Sequence, residues 1–366
     1  MYGIYIHIPF CVSKCNYCDF ASFPKHMNMQ DKYTAALINE IKSREGICAD
    51  TVYIGGGTPS VLSYENTKKL LDTISHTFKL ASDCEFTVEI NPATVDKDKL
   101  DLYRKYGVNR ISMGAQSFVE TELKTLGRIH SAEDVISTFN LLRNCGFQNI
   151  NLDLMYALPN QTMDSLKYSI ETLVSLSPEH ISCYGLKFEE GTPFYDKLQR
   201  RVLQECSEDS FADMYDYIRQ TLCEHGYEHY EISNFCKKGK ESRHNMKYWQ
   251  DCDYIAFGLS ASSKEGRRRY THISDIKEYT ESYLLAEDYT MTLDEHMREF
   301  VILSLRVINK GVDKVKFHDK FGVDFDSVFS SQILKTAPYT INTKEFFKLR
   351  NDAVLVSNSI MCEFME

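Results

Sequence analysis

The sequence predicts an α/β protein: an open barrel of six β/α units, followed by a small winged-helix-like α+β domain. Short apolar runs alternate with helical stretches six times in the first two hundred residues. Glycines and polar residues recur directly after the apolar runs, and the pattern changes near residue 290. Because parallel strands need crossover connections, these repeats indicate a parallel sheet.

The bounds of the predicted elements follow from this periodicity. The strands are predicted at 3–8, 51–54, 85–90, 109–113, 149–155 and 180–184, and the helices near 31–45, 64–78, 97–106, 132–145 and 162–176. In the helix at 64–78, for example, Leu70, Leu71 and Ile74 share one stripe. Six units are too few for a complete eight-fold barrel, so we expect an open one.

Length and composition limit the possible classes of protein. A chain of 366 residues predicts one large domain with smaller additions. We expect the barrel at 1–200, a helical extension at 201–290 and the C-terminal domain at 291–366. In this last domain, helices are predicted at 293–308 and up to 321, two strands within 344–357 and a final helix at 358–365.

Charge and hydropathy indicate where the protein works. A net charge of −10 disfavours a nucleic-acid partner, because phosphate binding calls for a basic face. No apolar run approaches the roughly 18 residues of a membrane span, and a strand begins at once, which leaves no room for a signal peptide. Nine of the twelve cysteines are scattered without paired spacing. We therefore expect a cytoplasmic protein with reduced thiols and no integral membrane segment.

Three cysteines within eight residues carry the chemistry. Cys11, Cys15 and Cys18 have the spacing C-x3-C-x2-C, directly after the first predicted strand. A structural zinc site normally has a fourth Cys or His ligand, and the next candidate position holds Phe20. Three cysteines suit a [4Fe–4S] cluster in which the fourth iron stays open to a ligand. A zinc knuckle or a chance cluster is the alternative.

Glycines and polar residues stand at the ends of the other predicted strands, as the cysteines do at the end of the first. The segment Gly55-Gly56-Gly57-Thr58-Pro59 follows the second strand and allows a close approach of backbone to a ligand. Glu89 lies at the end of the third strand, Gln116 follows the fourth, and Asp153 lies near the end of the fifth. Taken singly, each of these residues could instead be a helix-capping or surface residue without a ligand. In barrel enzymes the carboxyl ends of the strands form one rim, so we expect these residues to converge near the cysteines.

The cysteine spacing and the aromatic residue before its third member resemble the radical S-adenosylmethionine (SAM) superfamily. The resemblance implies a [4Fe–4S] cluster on Cys11, Cys15 and Cys18, with SAM on the unique iron. It also implies an electron donor such as flavodoxin or ferredoxin. The residues that would contact SAM are Tyr5, Tyr17, Gly56, Gly57, Thr58, Glu89, Gln116, Arg128 and Asp153.

Longer motifs narrow this resemblance to one branch. They occur at 5–11 (YIHIPFC), 55–59 (GGGTP), 88–92 (VEINP), 114–118 (GAQSF), 127–130 (GRIH) and 151–159 (NLDLMYALP). Together they are similar to the oxygen-independent coproporphyrinogen III oxidase-like family, and most of all to its HemW group of heme chaperones. The resemblance covers essentially the whole chain.

Three features separate the heme carrier from the oxidase. The oxidase has a further cysteine where this chain has Phe20, and a long segment ahead of the first strand where this chain has ten residues before Cys11. The segment His244-Asn245-Met246-Lys247-Tyr248-Trp249 matches the HNxxYW signature of the HemW group. We therefore expect a protein that binds heme as cargo and delivers it to a hemoprotein acceptor.

Other functions stay open from the sequence. One alternative is an oxidase that decarboxylates a porphyrinogen. Another is a radical SAM methyltransferase or ring-opening enzyme acting on a tetrapyrrole, which would need further catalytic groups. The residues that would contact heme or substrate are His7, His244, Asn245, Tyr248 and Trp249. For His244 the alternative to iron ligation is a structural histidine in a packed turn.

Overall fold

The computed structural model describes residues 1–365 and confirms the predicted α/β class. Six parallel strands pair in sequence order. They are β1 (Tyr2–Ile8), β2 (Cys48–Gly56), β3 (Lys79–Ile90), β4 (Arg110–Gln116), β5 (Ile150–Tyr156) and β6 (His180–Gly185). The connecting helices are α1 (Gln30–Lys42), α2 (Tyr64–Thr77), α3 (Lys97–Lys105), α4 (Glu120–Leu126), α5 (Ala132–Asn144), α6 (Met163–Leu176) and α7 (Pro193–Gln199). Because β1 and β6 do not pair with each other, the barrel is open, as predicted.

The two faces of the strands differ in chemistry. On β1, Ile4, Ile6 and Ile8 are buried in the main hydrophobic core. The alternate residues of the strand, Tyr5 and His7, make polar contacts with each other on the opposite face. The strands therefore have an apolar outer face and a polar interior face. We call the space on the interior face the lumen.

Further strands extend the sheet on both sides. Strands β7 (Glu228–Glu231) and β8 (Asn234–Cys236) continue it beyond β6, and β9 (Tyr254–Phe257), β10 (Ser262–Glu265), β11 (Arg268–His272) and β12 (Leu285–Thr290) continue it beyond β1. The helices of this region are α8 (Glu208–Glu224), α9 (Arg243–Trp249) and α10 (Ile276–Glu281).

The extension predicted as helical at 201–290 is therefore only partly helical. Its six strands are six residues long or shorter, and every residue of β12 is exposed, so no buried alternation marks that strand in the sequence.

The C-terminal region packs around its own cluster of phenylalanines. Its elements are α11 (Leu293–Leu305), β13 (Val312–Asp313), α12 (Lys314–Phe321), α13 (Phe325–Val328), α14 (Ser330–Thr336), β14 (Thr340–Asn342), β15 (Phe346–Leu349) and α15 (Ser357–Cys362). The three strands form an antiparallel sheet in the order β13-β15-β14. Three 3₁₀ turns complete the chain at Pro24–Met29, Pro59–Val61 and Asn351–Val356.

One strand of the predicted C-terminal pair is wrong. Strand β15 lies within 344–357, but its neighbours are β13 and β14, both earlier in the chain. Residues Asn351–Val356 form the 3₁₀ turn instead, because the turn buries Ala353 and Val354.

Asp251 connects the C-terminal region to the barrel. Its buried carboxylate pairs with Lys264 on β10 (2.6 Å), His296 on α11 (2.8 Å) and Lys320 on α12. Burial would raise the pKa of Asp251, but the hydrogen bond from His296 and the charge of Lys264 lower it to about 2. One carboxylate therefore joins one element of the sheet to two helices of the C-terminal region.

Replacing Asp251 by Ala is expected to destabilise this junction strongly. The change leaves the Lys264 ammonium buried without its partner, which typically costs about 3–5 kcal/mol. Chemical denaturation followed by circular dichroism measures the effect. Asp352→Ala is the control, because its pair with Arg350 is exposed and its loss should leave the midpoint unchanged. Equal midpoints for both variants would contradict this role of Asp251.

Candidate functional site

The cysteine loop lies directly after β1, at the carboxyl end of the parallel strands. Cys11 is buried, and Cys15 and Cys18 are half-buried. The loop is held against α4, since Asn16 donates its backbone N–H to the Leu126 carbonyl (2.9 Å) and its side-chain amide to the Thr125 carbonyl (2.9 Å).

The three thiols are close enough to affect one another. Burial raises the pKa of Cys11 and Cys18, and the thiolate charge of Cys15 raises both further. Thiolates this close repel one another unless cations compensate their charge, which the irons of a cluster would do. The charge of Cys15 therefore acts on both other thiols of the loop.

The glycine segment after β2 closes around this loop. Gly57 N–H donates to the Ile8 carbonyl (2.8 Å), and Thr58 N–H donates to the Phe10 carbonyl (2.7 Å). A Cβ at Gly57 would lie 2.7 Å from the Phe10 oxygen and 3.0 Å from the Cys11 sulfur. Only a glycine fits this approach between the two loops.

Asn91 and Arg128 link the cysteines to the ends of β3 and β4. Thr58 Oγ1 lies 3.3 Å from Cys11 Sγ and accepts a hydrogen bond from Asn91 Nδ2 (2.9 Å). Arg128 donates to Asn91 Oδ1 (2.8 Å), to the Gly114 carbonyl (2.6 Å) and to Cys15 Sγ (3.4 Å). Asn91 is a residue that the sequence analysis missed as a contact, although it lies in the VEINP motif.

Two half-buried carboxyl groups lie on the interior faces of β3 and β5, Glu89 next to the end of β3 and Asp153 in the middle of β5. Glu89 accepts hydrogen bonds from Tyr53 Oη (2.6 Å) and from Gly56 N–H (3.1 Å). Burial raises the pKa of Glu89 to about 7, although both hydrogen bonds oppose the shift. Burial also raises the pKa of Asp153, which accepts a hydrogen bond from Asn151 Nδ2 (2.7 Å). Tyr53 and Asn151 were not predicted as contacts. Tyr53 is marked in the sequence only by its interior position on β2, whereas Asn151 begins the motif at 151–159.

The remaining predicted SAM contacts lie around the same mouth. Gln116 ends β4 with a φ of +68°, and a Cβ on Gly114 would lie 2.8 Å from its Nε2 and 3.1 Å from the Arg128 guanidinium. Burial raises the pKa of Tyr17, and the charges of Arg128, Cys15 and Cys18 also act on its hydroxyl. Tyr5 differs from these residues, because its hydroxyl is hydrogen-bonded to His7 Nδ1 (3.1 Å).

The two histidines predicted to contact heme or substrate are both engaged within the protein. His7 accepts from Tyr5 at Nδ1 and donates from Nε2 to the Ala21 carbonyl (2.8 Å), so it fastens the end of the cysteine loop to β1. His244 is hydrogen-bonded to Thr51 Oγ1 through Nδ1 (2.9 Å) and to Tyr248 Oη through Nε2 (2.8 Å). This arrangement of His244 favours the structural alternative that the sequence left open.

The other residues of the HNxxYW segment lie on α9. The backbone N–H of Asn245 donates to the Ser242 hydroxyl, which caps the helix. The Arg306 guanidinium stacks over the Trp249 ring at 4.3 Å. The segment therefore packs against β2 and the C-terminal region, away from the cysteine loop.

The residues at the mouth fit a [4Fe–4S] cluster with SAM. The donor set is three thiols, and the glycine cradle brings backbone within contact of Cys11. In residues 1–365, no group of three or more His, Cys, Asp or Glu side chains is arranged around a single metal ion. Within the same range, no helix combines the length and apolar character that crossing a membrane requires.

Two protein families match parts of the chain. The model of the radical SAM superfamily matches residues 5–173, and that of the HemN C-terminal domain matches residues 291–337. Of solved structures, coproporphyrinogen III oxidase (HemN) from Escherichia coli is similar to 99% of this chain and 89% of its own, with a TM-score of 0.87 and 24% identity. At this identity the likeness shows the fold.

Relatives of known name cover the chain from end to end. The heme chaperone HemW of Bacillus subtilis is 38% identical over 100% of this chain and 99% of its own length. The heme chaperone HemW of Lactococcus lactis is 36% identical over 99% of this chain and 96% of its own. Membership of the radical SAM superfamily implies a [4Fe–4S] cluster and SAM as cofactors. The chain belongs to the HemW family of radical SAM proteins.

Proposed function

We propose that this protein is a heme chaperone that binds heme and transfers it to an acceptor hemoprotein. The observation that carries the proposal is the full-length similarity to two proteins named heme chaperone HemW. Two sequence features add to it: the HNxxYW segment, and Phe20 at the position where the decarboxylating oxidase has a further cysteine. The solved oxidase supports a common fold and carries no argument for a common reaction.

The residues at the mouth would bind and orient the cofactors. Cys11, Cys15 and Cys18 would hold the cluster, which supplies one-electron chemistry together with SAM. Glu89 and Asp153 offer carboxylate oxygens that accept hydrogen bonds from hydroxyl or ammonium groups of SAM. Arg128 offers a guanidinium to a carboxylate.

Other contacts of the mouth complete the proposed SAM site. Gly56 and Gly57 would let the backbone approach the ligand, beside the side chains of Thr58 and Gln116. Tyr17 would lie against the adenine. We assign Tyr5 to the same site because its hydroxyl contacts His7, the residue that fastens the end of the cysteine loop to β1.

The partners follow from this chemistry. A low-potential donor such as flavodoxin or ferredoxin would reduce the cluster, and an acceptor hemoprotein would receive the heme. We place the protein in the cytoplasm, because its twelve free cysteines suit a reducing compartment.

Heme transfer tests the proposal. The reconstituted protein is loaded with heme under anaerobic conditions and mixed with an apo-hemoprotein. We expect the heme absorbance of the donor to decrease while that of the acceptor appears. A wild-type protein with an intact cluster that binds no heme, or that retains all of it, would contradict the proposed function.

Cys15→Ser is expected to abolish the broad visible absorbance of the cluster after anaerobic reconstitution. The thiolate is the iron ligand, and a serine hydroxyl at this position is a poor substitute. Cys223→Ser, an exposed cysteine on α8, is the matched control and should reconstitute as wild type. Normal absorbance in Cys15→Ser would remove that residue from the cluster.

SAM binding is expected to weaken as the pH falls through about 7. Only the ionised Glu89 accepts hydrogen bonds from SAM with both oxygens, and its pKa in the free protein is about 7. Tyr53, the Gly56 N–H, Asp153 and Arg110 all act on this group. From about pH 8 to about pH 6 the ionised fraction of Glu89 falls about tenfold, and the affinity with it.

Glu89→Gln is the control for this pH profile. The amide does not titrate, so the variant should bind SAM weakly and with a flatter profile. A pH dependence that persists unchanged in Glu89→Gln would belong to the amino group of SAM and would contradict the role of Glu89.

A further inference from the structure

Helix α9 closes the lumen at the end opposite the cysteines. The backbone N–H groups of Arg243 and His244 donate to the two carboxylate oxygens of Glu85 (3.1 and 2.9 Å). Glu85 precedes Glu89 by four residues on β3, so both carboxylates lie on the interior face of that strand at different levels. The HNxxYW segment is therefore fixed to a strand that carries a predicted SAM contact at its other end.

A first column of contacts connects His244 to Glu89. The His244 ring stacks on the Tyr53 ring, with centroids 5.2 Å apart and planes inclined by 30°. Tyr53 in turn donates its hydroxyl to Glu89 Oε1 at 2.6 Å. The His244 ring is itself held on both sides, by Thr51 and Tyr248. The position of Tyr53, and hence of the hydrogen bond to Glu89, depends on this support.

A second column connects the start of α9 to Asp153. The Ser242 N–H donates to Tyr230 Oη (3.3 Å), and Tyr230 Oη lies 2.7 Å from His180 Nε2. His180 Nδ1 lies 2.6 Å from Asn151 Oδ1, and Asn151 Nδ2 donates to Asp153 Oδ1 (2.7 Å). An acceptor amide oxygen requires a proton on Nδ1, so Nε2 accepts from Tyr230. Every donor in this column consequently points toward Asp153.

We propose that helix α9 and its capping residue Ser242 position the two carboxylates of the SAM site, with His244 acting through Tyr53 on Glu89 and Ser242 acting through Tyr230 on Asp153. The inference rests on the SAM site of the proposed function. It gives His244 the role of a positioning residue. Iron ligation would require His244 to give up one of its two hydrogen bonds inside a buried position, and to leave Thr51 or Tyr248 unpaired.

Tyrosine-to-phenylalanine variants test the first column without removing a ring. Tyr53→Phe keeps the stack on His244 and removes the hydrogen bond to Glu89. Tyr248→Phe removes the hydrogen bond to His244 Nε2 and leaves Glu89 untouched. Tyr227→Phe is the matched control, because it removes a buried hydroxyl that donates to the Pro178 carbonyl, outside both columns.

The measurements are the SAM affinity of the reconstituted protein as a function of pH and the absorbance of bound heme. We expect Tyr53→Phe to weaken SAM binding about tenfold, as for one hydrogen bond to a charged group. The midpoint of its pH profile should move upward, since the lost bond favours the ionised carboxylate. Tyr248→Phe should weaken SAM binding by a smaller factor, about threefold. Tyr227→Phe should behave as wild type.

Heme binding separates the positioning role from iron ligation. His244→Phe, which keeps an aromatic ring beside Tyr53, should bind heme with an unchanged Soret band while its SAM affinity falls. A lost or shifted Soret band in this variant would overturn the inference. So would wild-type SAM affinity and pH profile in both Tyr53→Phe and Tyr248→Phe. A wild-type protein that carries its cluster and binds no SAM would overturn the proposed SAM site and this inference together.

Discussion

The central constraint in this molecule is that Glu89 and Asp153 are half-buried carboxyl groups inside a barrel. A buried carboxylate is tolerated only when hydrogen bonds replace its water. Here those bonds come from the same lumen, through Tyr53 to Glu89 and through Asn151 to Asp153. The two carboxyl groups at the mouth therefore require polar side chains on the interior faces of the strands as hydrogen-bond donors.

Burial of these groups also makes the site sensitive to small changes. Because the protein replaces part of the water around these carboxyl groups, each hydrogen bond at the mouth changes their pKa more than it would in solvent. Glu89 illustrates this, since its pKa of about 7 lies far above that of a solvated carboxyl group even with two donors in contact. A site of this kind binds a cationic, hydroxyl-rich ligand well only in one protonation state.

The order of the strands brings the site residues together. The carboxyl ends of neighbouring parallel strands share one edge, so the cysteine loop after β1 meets the glycine segment at the end of β2 and the side chains near the ends of β3 and β4. This placement was predictable, because each motif follows an apolar run of clear length. The cysteine spacing was equally informative, since so few arrangements place three thiols together.

Other features depend on contacts that no local pattern reports. Strands β7 to β12 are short, and β12 has no buried face, so their pairing with the sheet left no periodic signal. Asn91 was visible in a motif, but its bridge between Thr58 and Arg128 requires three segments far apart in the chain. His244 was ambiguous, because a ligand and a buried stacking partner have the same sequence appearance. The two hydrogen bonds of its ring and the stacking on Tyr53 favour the buried stacking partner.

The most direct test of a carrier against a decarboxylase is an anaerobic assay with SAM, a reductant and coproporphyrinogen III. The cluster of the reconstituted protein is first shown to be intact by its visible absorbance, and mass spectrometry then follows the carboxyl groups of the porphyrinogen. The heme chaperone account predicts that coproporphyrinogen III keeps all of them. Loss of two carboxyl groups, with formation of protoporphyrinogen, would contradict it and establish an oxidase in which Phe20 replaces a dispensable cysteine.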